Sequence, residues 1–317
     1  MDVSVVIVNW NTKQLLMNCL QTIYDNTELI EFEIIVVDNA SSDNSVEMVK
    51  QHFPQTIVLE NSENLGYAAA NNQGITIARG RYVLILNSDM IFIDDSISKV
   101  CSFADSHPNA AVVGCKMLNR DRTLQQNTYL FPSLLNLFLA ATYLYKMFPK
   151  SKFFARERMG WWDWNDIKDV DVIVGCFILV RMDAIHEVGP MDDQFFMYYE
   201  ETDWCYRFKK AGWDIIFAPV SKVIHLGGES TKKNPGKMLL QMKSSLLLYF
   251  KKHMGYISYT AACLLMFIFF SLRIPYWLVH SLVSKKTMKS DLNTAKLYMI
   301  GLRKTFHGWR GLSIKLS

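Results

Sequence analysis

Residues 32–38 read FEIIVVD, a short apolar segment that ends in a carboxylate, and the chain repeats this arrangement. Three further apolar segments are followed by acidic or imidazole side chains: YVLILNS at 82–88 by Asp89, FFMYY at 195–199 by Glu200 and Glu201, and VSKVI at 220–224 by His225. Ligands of open α/β sheets bind beyond the carboxyl ends of the strands. We therefore expect these side chains to face a phosphorylated ligand and to carry out acid–base chemistry beside it.

Strand and helix patterns alternate over residues 1–117. The apolar runs predict strands at 3–9, 32–38, 56–60, 82–87 and 111–116, with helices at 13–24, 45–52, 67–78 and 94–104. Short, all-apolar strands are typical of a parallel sheet covered on both faces. Asn44 and Glu47 predict a capping box at the start of the second helix. This β–α order predicts a doubly wound α/β fold.

Pattern returns after a less regular stretch at 118–169. One strand is predicted at 170–181, then a helix that ends at residue 212, then a strand that ends at His225. A helix with one apolar face follows at about 235–253.

The charge of the chain is unevenly placed. Of 317 residues, half are hydrophobic and the net charge is +4. Residues 232–317 carry 15 Lys/Arg and one acid, Asp291, whereas residues 1–231 carry 19 Lys/Arg and 29 Asp/Glu. Such asymmetry predicts a basic tail that meets an anionic surface. The six cysteines form no CxxC pair, which argues against a zinc ribbon and favours buried thiols in a reducing compartment.

The tail also contains a long apolar stretch. Residues 256–272 are 17 residues without a charge, and Arg273 separates them from a second apolar run at 274–283. A membrane span needs about 20 such residues. We therefore expect a kinked, interfacial or re-entrant element, and divide the chain into a main domain at 1–231 and a basic, apolar helical membrane-associating extension at 232–317.

Two carboxylates follow predicted strands directly. Asp38 can accept hydrogen bonds from the base or ribose of a nucleotide, although a turn residue or helix cap explains it equally well. Asp89 follows a buried strand, where an acid is a good ligand for a hard metal ion. Its alternative role is the cap of the helix that begins near residue 94.

Three acids stand at the start of the helix that ends at residue 212. Glu200, Asp203 and Arg207 share one helical face, while Glu201 points about 100° away. Asp203 can therefore pair with Arg207 at i,i+4, which leaves Glu201 free to act as a base. A solvated acidic first turn, favoured by the helix dipole, is the alternative. The aromatic residues before the turn favour a raised pKa, which suits a base.

Other segments have both a functional and a structural explanation. His225 precedes a glycine pair and can ligate a metal or touch a phosphate, but a lone histidine is more often structural. Residues 64–74 (NLGYAAANNQG) open a helix with small residues, which suits either a polar ligand or ordinary helix–sheet packing. The tryptophans in residues 161–166 (WWDWND) can stack on a sugar or fold onto the core.

Together these motifs resemble an inverting glycosyltransferase of the GT-A fold, family 2, and within it the rhamnosyltransferase-like group. The resemblance covers roughly residues 1–232 and rests on motifs in the family's order. They are SVVIVNWN at 4–11, VDNASSD at 37–43, NLGYAAANNQG at 64–74, LNSD at 86–89, VGC at 174–176 with VGPMD at 188–192 leading to Arg207, and HLGGES at 225–230. The implied fold is a doubly wound, mostly parallel GT-A sheet flanked by helices, with a C-terminal helical extension.

The resemblance also implies site residues. It assigns nucleotide-sugar binding to Val8, Trp10, Asp38, Asn72 and Asp89, a Mg²⁺ or Mn²⁺ ion to Asp89 and His225, and the catalytic base to Glu201, with Glu200 and Asp203 as the other candidate acids. The chain departs from the family's pattern at two places. Asn87 stands where the metal motif commonly begins with Asp, and Glu200-Glu201 replaces the commoner Glu-Asp pair.

The resemblance implies an inverting, metal-dependent hexosyltransferase that moves a sugar, with rhamnose as the candidate, from a nucleoside-diphosphate sugar to a hydroxyl of a lipid-linked or polysaccharide acceptor. It would act in the cytoplasm, peripheral or re-entrant at the inner face of the cell membrane, on an anionic surface, without nucleic acid and with an oligomer possible. The alternatives are a non-catalytic nucleotide-sugar-binding protein and a nucleotidyltransferase. The nucleotidyltransferase would need a Gly-rich, basic phosphate loop after the first strand, where this chain has Asn9-Trp10-Asn11-Thr12.

Overall fold

The computed structural model describes residues 1–227, 235–283 and 288–306. The residues 228–230 of the HLGGES motif and the predicted boundary at 231/232 lie outside these ranges. The described strands are β1 (Val3–Asn9), β2 (Phe32–Asp38), β3 (Ile57–Glu60), β4 (Tyr82–Asn87), β5 (Met90–Phe92), β6 (Ala110–Leu118), β7 (Leu124–Gln125), β8 (Thr128–Tyr129), β9 (Lys168–Asp169), β10 (Val172–Ile173), β11 (Phe177–Arg181) and β12 (Asp214–His225).

Helices connect and flank these strands. The described helices are α1 (Lys13–Asn26), α2 (Ser45–His52), α3 (Tyr67–Ile77), α4 (Ser96–Asp105), α5 (Leu134–Ala141), α6 (Leu144–Met147), α7 (Met182–Val188), α8 (Glu200–Lys210), α9 (Pro235–His253), α10 (Gly255–Val283) and α11 (Met288–Phe306). The described part separates into two compact units, residues 1–131 with 162–227 and residues 132–161 with 235–283 and 288–306. The second unit differs from the predicted extension because it also includes the inserted segment 132–161.

The first unit is built on one large mixed sheet. Its strand order is β3-β2-β1-β4-β11-β6-β12-β5. Strands β3, β2, β1 and β4 are parallel, β11 runs antiparallel to β4 and β6, and β12 is parallel to β6. The carboxyl ends of β1, β2, β4 and β12 therefore meet at one edge, which also holds the start of β11. This confirms the predicted doubly wound, mostly parallel sheet flanked by helices.

Apolar side chains on the sheet and its helices form the core. The strand β1 has the sequence VSVVIVN and is almost entirely buried. It pairs with β2 on one side and β4 on the other, from Val3↔Phe32 and Val3↔Tyr82 onward. A strand with neighbours on both sides and helices on both faces has no solvent face, and this explains its near-continuous apolar sequence.

Two local predictions are wrong. Residues 170–181 do not form one strand: β10 joins β8 in a small second sheet, and β11 begins four residues later in the main sheet. The capping box at Asn44 does not form, because Asn44 has a left-handed backbone (φ 61°) and makes no side-chain cap. Asp43 lies there instead and accepts hydrogen bonds from the backbone N–H, at 3.2 Å, and the hydroxyl of Ser45.

The tryptophan run folds onto the first unit at two of its positions. Trp162 packs edge-on against Phe217, with ring centroids 5.1 Å apart, and Trp164 donates its indole N–H to the Thr128 hydroxyl at 2.7 Å. Both side chains are buried. Of the two predicted roles, the structure supports folding onto the core for these residues.

The second unit is helical. α10 packs against α5, α9 and α11, and it is one helix of 29 residues with Pro275 inside it. It is long and apolar enough to cross a membrane, with a mean hydropathy of 1.9 over its best window. By itself this is weak support for a span, since core helices of soluble proteins meet the same criterion.

Candidate functional site

Asp38 is fixed at the carboxyl edge of the sheet. The carboxylate is buried and accepts hydrogen bonds from the side-chain amide of Asn9 and from the backbone N–H of Ser41, both at 2.8 Å. Asn9 and Asp38 are directly opposite each other in the β1–β2 ladder. A carboxylate that accepts two such bonds keeps further acceptor positions for a ligand.

A chain of small polar side chains connects this region to Asp89. The hydroxyl of Thr12 donates to the Asn9 side-chain oxygen at 2.6 Å and lies 2.8 Å from the hydroxyl of Ser88. Ser88 directly precedes Asp89 and is buried. The ends of β2, β1 and β4 therefore share one hydrogen-bonded network.

Asp89 and His225 are in direct contact. Nε2 of His225 lies 3.1 Å from Oδ1 of Asp89 and 3.5 Å from the side-chain nitrogen of Asn87. On its other side, Nδ1 of His225 lies 2.7 Å from Oε1 of Gln125, which can only accept, so Nδ1 carries a proton. Burial opposes the charged imidazole, but the Asp89 carboxylate and Cys176 outweigh it and raise the pKa of His225 to about 10.

Tyr67 connects the Asp89 region to the start of α8. Its hydroxyl lies 3.0 Å from Oδ1 of Asn87 and also donates to the backbone carbonyl of Gly175. Gly175 packs closely here, since a Cβ at this position would lie 3.8 Å from the Tyr67 hydroxyl and 3.9 Å from Cβ of Glu201. Tyr67 and Gly175 therefore bring Glu201 to the edge that carries Asn87 and Asp89.

The two glutamates at the start of α8 lie in an apolar environment. Burial raises the pKa of Glu201 to about 7, although backbone amides at the helix start partly offset it. Burial and the neighbouring Glu201 carboxylate raise the pKa of Glu200 well above its usual range. Oε2 of Glu200 is buried and has no hydrogen-bond partner within the described residues. Near neutral pH the pair therefore carries a neutral Glu200 beside a Glu201 that can gain or lose a proton.

The third acid of the motif has a structural partner. Asp203 is fully buried and forms the predicted i,i+4 ion pair with Nε of Arg207 at 2.8 Å. Arg207 also donates to the carbonyls of Val188 and Pro190. The predicted pairing is confirmed, and it ties α8 to the loop that leads into it.

That loop holds two strained residues directly before Glu200. Tyr198 and Tyr199 both have left-handed backbones, with φ of 66° and 68°. Left-handed conformations are costly for bulky residues and persist where the surroundings enforce them. The N–H of Tyr67 donates to the Phe196 carbonyl at 2.7 Å, so α3 and this loop are joined by their backbones. The strain positions the first turn of α8.

The remaining predicted nucleotide-sugar residues lie close by in the fold. Val8 is opposite Val37 and Asn87 in the two ladders of β1, and Trp10 follows the end of that strand, half-buried. The side chain of Asn72 pairs with the backbone of Met191, donating to its carbonyl at 2.8 Å and accepting from its N–H at 3.0 Å. The amide of Asn72 therefore has a structural contact, and its nucleotide-binding role stays a prediction.

Three residues of this region were not predicted from the sequence as site residues. Thr12, Tyr67 and Gln125 each connect two of the predicted groups. Tyr67 lies within the NLGYAAANNQG motif, which was a signal for its region but not for its role. No local pattern marks Gln125, because it belongs to a two-residue strand whose partner His225 is 100 residues away.

The donor atoms for a metal ion are few within the described chain. No group of three or more His, Cys, Asp and Glu side chains suited to a metal is present there. One carboxylate, Asp89, and one imidazole, His225, face each other. Mg²⁺ and related ions are commonly held by one or two carboxylates together with substrate phosphates and waters. This donor set fits an ion whose remaining ligands come from a bound diphosphate.

Known proteins share both sequence and fold with this chain. An N-acetylglucosaminyl-diphospho-decaprenol L-rhamnosyltransferase from Mycobacterium tuberculosis is 27% identical over 237 residues, which is 70% of this chain and 76% of the relative. The mannosyltransferase PcManGT from Pyrobaculum calidifontis, solved with GDP-Man and Mn²⁺, superposes with a TM-score of 0.58 at 14% identity, over 96% of this chain and 86% of the other. S. aureus TarS 1-349 superposes with a TM-score of 0.51 at 13% identity, over 97% and 92%.

These likenesses confirm the predicted GT-A type fold. The sequence profile of glycosyl transferase family 2 matches residues 4–189, which are more than half of the chain and include the ends of β1, β2 and β4. The residues that the profile matches are the same ones whose side chains meet at the carboxyl edge. The chain therefore belongs to glycosyl transferase family 2.

Proposed function

We propose that the protein is an inverting, metal-dependent hexosyltransferase that moves a sugar from a nucleoside-diphosphate donor to a hydroxyl of a lipid-linked or polysaccharide acceptor. One observation carries the proposal: Tyr67 contacts Asn87 beside the Asp89–His225 pair and also Gly175, which packs on Glu201. A base and a diphosphate-binding end are both needed next to the anomeric carbon. Rhamnose is the candidate sugar, because the Mycobacterium tuberculosis relative is named as an L-rhamnosyltransferase.

Glu201 is the proposed base. It accepts the proton of the acceptor hydroxyl, and that oxygen attacks the anomeric carbon from the face opposite the diphosphate. The bond from the anomeric carbon to the phosphate oxygen breaks, the nucleoside diphosphate leaves with the electron pair, and the configuration inverts. A base with a pKa of about 7 suits this task at neutral pH. Neutral Glu200 beside it avoids a second negative charge, and Asp203 holds the helix through Arg207.

Asp89 and His225 are the proposed holders of a Mg²⁺ or Mn²⁺ ion. When bound, the ion supplies positive charge that stabilises the leaving diphosphate. The protein's own contribution is to fix the two donor groups: the β5–β12 ladder aligns their backbones, and Gln125 orients the imidazole. Asn87 adds no carboxylate, so two protein donors and the donor's phosphates are expected to complete the set.

The nucleotide is proposed to bind over the ends of β1 and β2. Asp38 is held rigidly by Asn9 and Ser41, so its free acceptor positions are available to the base or ribose. Trp10 and Val8 provide half-buried apolar surface beside it, and Asn72 stands on the neighbouring helix α3. The relatives' names fit a sugar nucleotide, since PcManGT was solved with GDP-Man.

The extension is proposed to keep the enzyme at the inner face of the cell membrane, peripheral or re-entrant. In this division, residues 1–231 are the catalytic domain and residues 232–317 associate with anionic lipid. The support is the excess of 15 Lys/Arg over one acid in these residues, together with the apolar helix α10. The Mycobacterium tuberculosis relative is named for a diphospho-decaprenol-linked sugar, which is a lipid-linked acceptor.

A donor and acceptor screen tests the proposal. Purified full-length protein is given a panel of deoxythymidine-, uridine- and guanosine-diphosphate sugars with Mn²⁺ and a polyprenyl-diphosphate-linked N-acetylglucosamine, and free nucleoside diphosphate is measured. We expect acceptor-dependent release with one donor, lost in Glu201→Gln and kept in the exposed control Glu47→Gln. Donor binding without turnover across the panel would establish the non-catalytic alternative, and pyrophosphate release would establish a nucleotidyltransferase.

A further inference from the structure

Exposed apolar side chains are concentrated in the second unit. Of the 25 large hydrophobic residues exposed in the described part of the chain, 19 belong to residues 132–161, 235–283 and 288–306. Soluble proteins rarely expose large apolar patches unless these bind a partner or a membrane. The first unit exposes only six such residues, so the concentration belongs to this unit and not to the whole surface.

One face of α10 accounts for much of this exposure. Its buried residues recur at helical spacing and turn inward, as Ala262, Met266, Phe269, Phe270, Arg273 and Ser281. A second set recurs at the same period and is exposed; we call it the outer stripe, and it consists of Ile257, Leu264, Leu272, Tyr276, Val279 and Val283. At its two ends, Ile257 and Val283 are 85% and 80% exposed. A helix face directed at water would be polar, so the outer stripe is suited to an apolar environment.

A second exposed apolar group lies in the inserted segment. We call residues 146–153 (KMFPKSKF) the insert loop. Met147 and Phe153 are 66% and 55% exposed, and Phe148 is exposed beside them. Lysines alternate with these residues at positions 146, 150 and 152. Aromatic and apolar side chains interleaved with lysines are typical of segments that lie at a membrane–water interface.

The insert loop has an ordered backbone. The N–H of Ser151 donates to the Phe148 carbonyl at 3.1 Å, and the Ser151 hydroxyl accepts from the N–H of Phe154 at 3.2 Å. Phe154 lies under the loop, stacked on Phe148 with ring centroids 4.8 Å apart and edge-on to Phe153 at 5.2 Å. A surface that is already ordered loses little entropy on binding.

Arg273 joins α10 to the inserted segment within the unit. Its guanidinium donates to the carbonyls of Ala140 and Ala141 at the end of α5, at 3.1 and 3.0 Å. It also stacks on Tyr143 and Phe269, 3.9 and 3.6 Å from their ring centroids. The charge that interrupts the apolar sequence of the tail therefore points inward, and the outer stripe is left without a charge.

The charge of the unit identifies the partner. Its described residues include 14 Lys/Arg and two acids, Glu157 and Asp291. Asp291 is buried and paired with His280 at 2.8 Å, so it does not offset the positive surface. An apolar face within a strongly basic unit matches the surface of an anionic bilayer, which offers acyl chains below and negative head groups above.

We propose that the insert loop and the outer stripe of α10 bind an anionic bilayer together, so that the membrane-contacting surface includes residues 146–153 as well as the C-terminal helices. The inference rests on the membrane part of the proposed function and adds a second, inserted contact that lies outside residues 232–317. Met147, Phe148 and Phe153 enter the head-group region, and the three lysines of the loop meet lipid phosphates. α10 lies along the surface, with Arg273 directed into the protein.

Vesicle flotation of the full-length protein tests this surface. Vesicles of phosphatidylcholine with 30% phosphatidylglycerol are compared with pure phosphatidylcholine. We expect wild type to float with the anionic vesicles only. Lysines near such a surface contribute about fivefold each, so Lys146→Glu with Lys150→Glu should weaken binding at least about tenfold. Met147→Ser with Phe153→Ser should weaken it similarly.

Matched controls come from the first unit. Lys210→Glu with Lys222→Glu changes two exposed lysines, and Leu29→Ser with Ile93→Ser changes two exposed apolar residues. Both controls should float as wild type does. Equal flotation of the insert-loop variants and their controls would overturn the insert contact while leaving a tail-only anchor intact. No flotation of wild type would overturn the membrane role altogether, and nucleoside diphosphate release from soluble donors would still test the transfer reaction separately.

A probe on the loop separates lipid contact from self-association. Met147→Cys in a Cys263→Ser background is labelled with a polarity-sensitive dye; the other five cysteines are buried. We expect a blue shift on anionic vesicles and none for the same dye at Leu29→Cys. A blue shift without lipid that grows with protein concentration, together with a dimer by light scattering, would show that a second copy of the chain covers this face and would overturn the proposal.

Discussion

Nε2 of His225 lies 3.1 Å from Oδ1 of Asp89, although 136 residues separate them in the sequence. The backbone produces this contact. In the antiparallel β5–β12 ladder His225 is opposite Met90, and the N–H of Leu226 donates to the Asp89 carbonyl at 3.0 Å. The strand β5 follows β4 after only two residues, so the turn that ends β4 also delivers Asp89 to the end of β12.

Removing either member of this pair should weaken metal binding. We expect Asp89→Ala and His225→Ala each to lower the affinity for Mn²⁺ in the presence of nucleoside diphosphate by about 100-fold or more, because each removes one of two protein donors. Electron paramagnetic resonance of free Mn²⁺ measures this without turnover. Asp94→Asn, which changes a carboxylate paired with Lys99, is the control and should bind as wild type does.

Gln125 should matter for the same site although it would not touch the ion. Its Oε1 accepts from Nδ1 of His225 at 2.7 Å, which fixes the imidazole with Nε2 toward Asp89. Residues that orient a metal-ligating histidine commonly contribute about 10–100-fold to metal affinity. We expect Gln125→Leu to lose that factor in the Mn²⁺ titration and Gln125→Glu, which keeps an acceptor, to retain most of it. If Gln125→Leu bound Mn²⁺ normally, the residue would only be a contact of the β7 segment.

How far the sequence predicts this protein depends on how local the signal is. The bounds of β1, β2 and β4 are as predicted, because an apolar run and a polar end residue, such as Asn9 or Asp38, define each strand locally. The region 118–169 was not resolved into elements. Its strands β7, β8 and β9 have two residues each and are stabilised by partners elsewhere in the chain. No periodicity can be read from two residues.

The candidate site shows the same limit. The family motifs pointed to Asp38, Asp89, Glu201 and His225, and the structure brings Asp89 and His225 into contact. The residue that connects them to Glu201, Tyr67, does so through Asn87 and Gly175, which are 20 and 108 positions away. Such contacts follow from the packing of α3 on the sheet and leave no pattern in the sequence around Tyr67.

Tyr67→Phe isolates the contribution of that hydroxyl. The variant keeps the ring but removes the bonds to Asn87 and to the Gly175 carbonyl. Unsatisfied buried acceptors cost about 1–3 kcal/mol, so the free energy of unfolding should fall by about that amount in a denaturant titration. We also expect kcat to fall more than KM rises, because Gly175 positions Glu201. Unchanged kcat in a destabilised variant would assign Tyr67 a structural role only.

Asp203→Asn should act on stability. The carboxylate is fully buried and paired with Arg207, so a neutral amide leaves the guanidinium with a weaker partner. We expect the free energy of unfolding to fall by about 1–3 kcal/mol. The pH dependence of the remaining activity should stay that of wild type, since Glu201 is intact. Loss of all turnover in a stable Asp203→Asn protein would instead make Asp203 the base.

The raised pKa of Glu201 predicts opposite pH dependences for activity and stability. A base must be ionised, so kcat/KM should rise through about pH 7 and level off above it. The folded state keeps the proton of Glu201 to about pH 7, whereas the unfolded chain releases it near 4.5, so the folded state binds more protons between these values and the free energy of unfolding falls as pH rises. Glu201→Gln removes this cost. It should therefore be inactive yet melt about 2–4 °C higher than wild type at pH 8, with no difference at pH 4. Equal melting temperatures at pH 8 would show that the Glu201 carboxylate ionises there without cost and is not held in the apolar environment on which its role as a base depends.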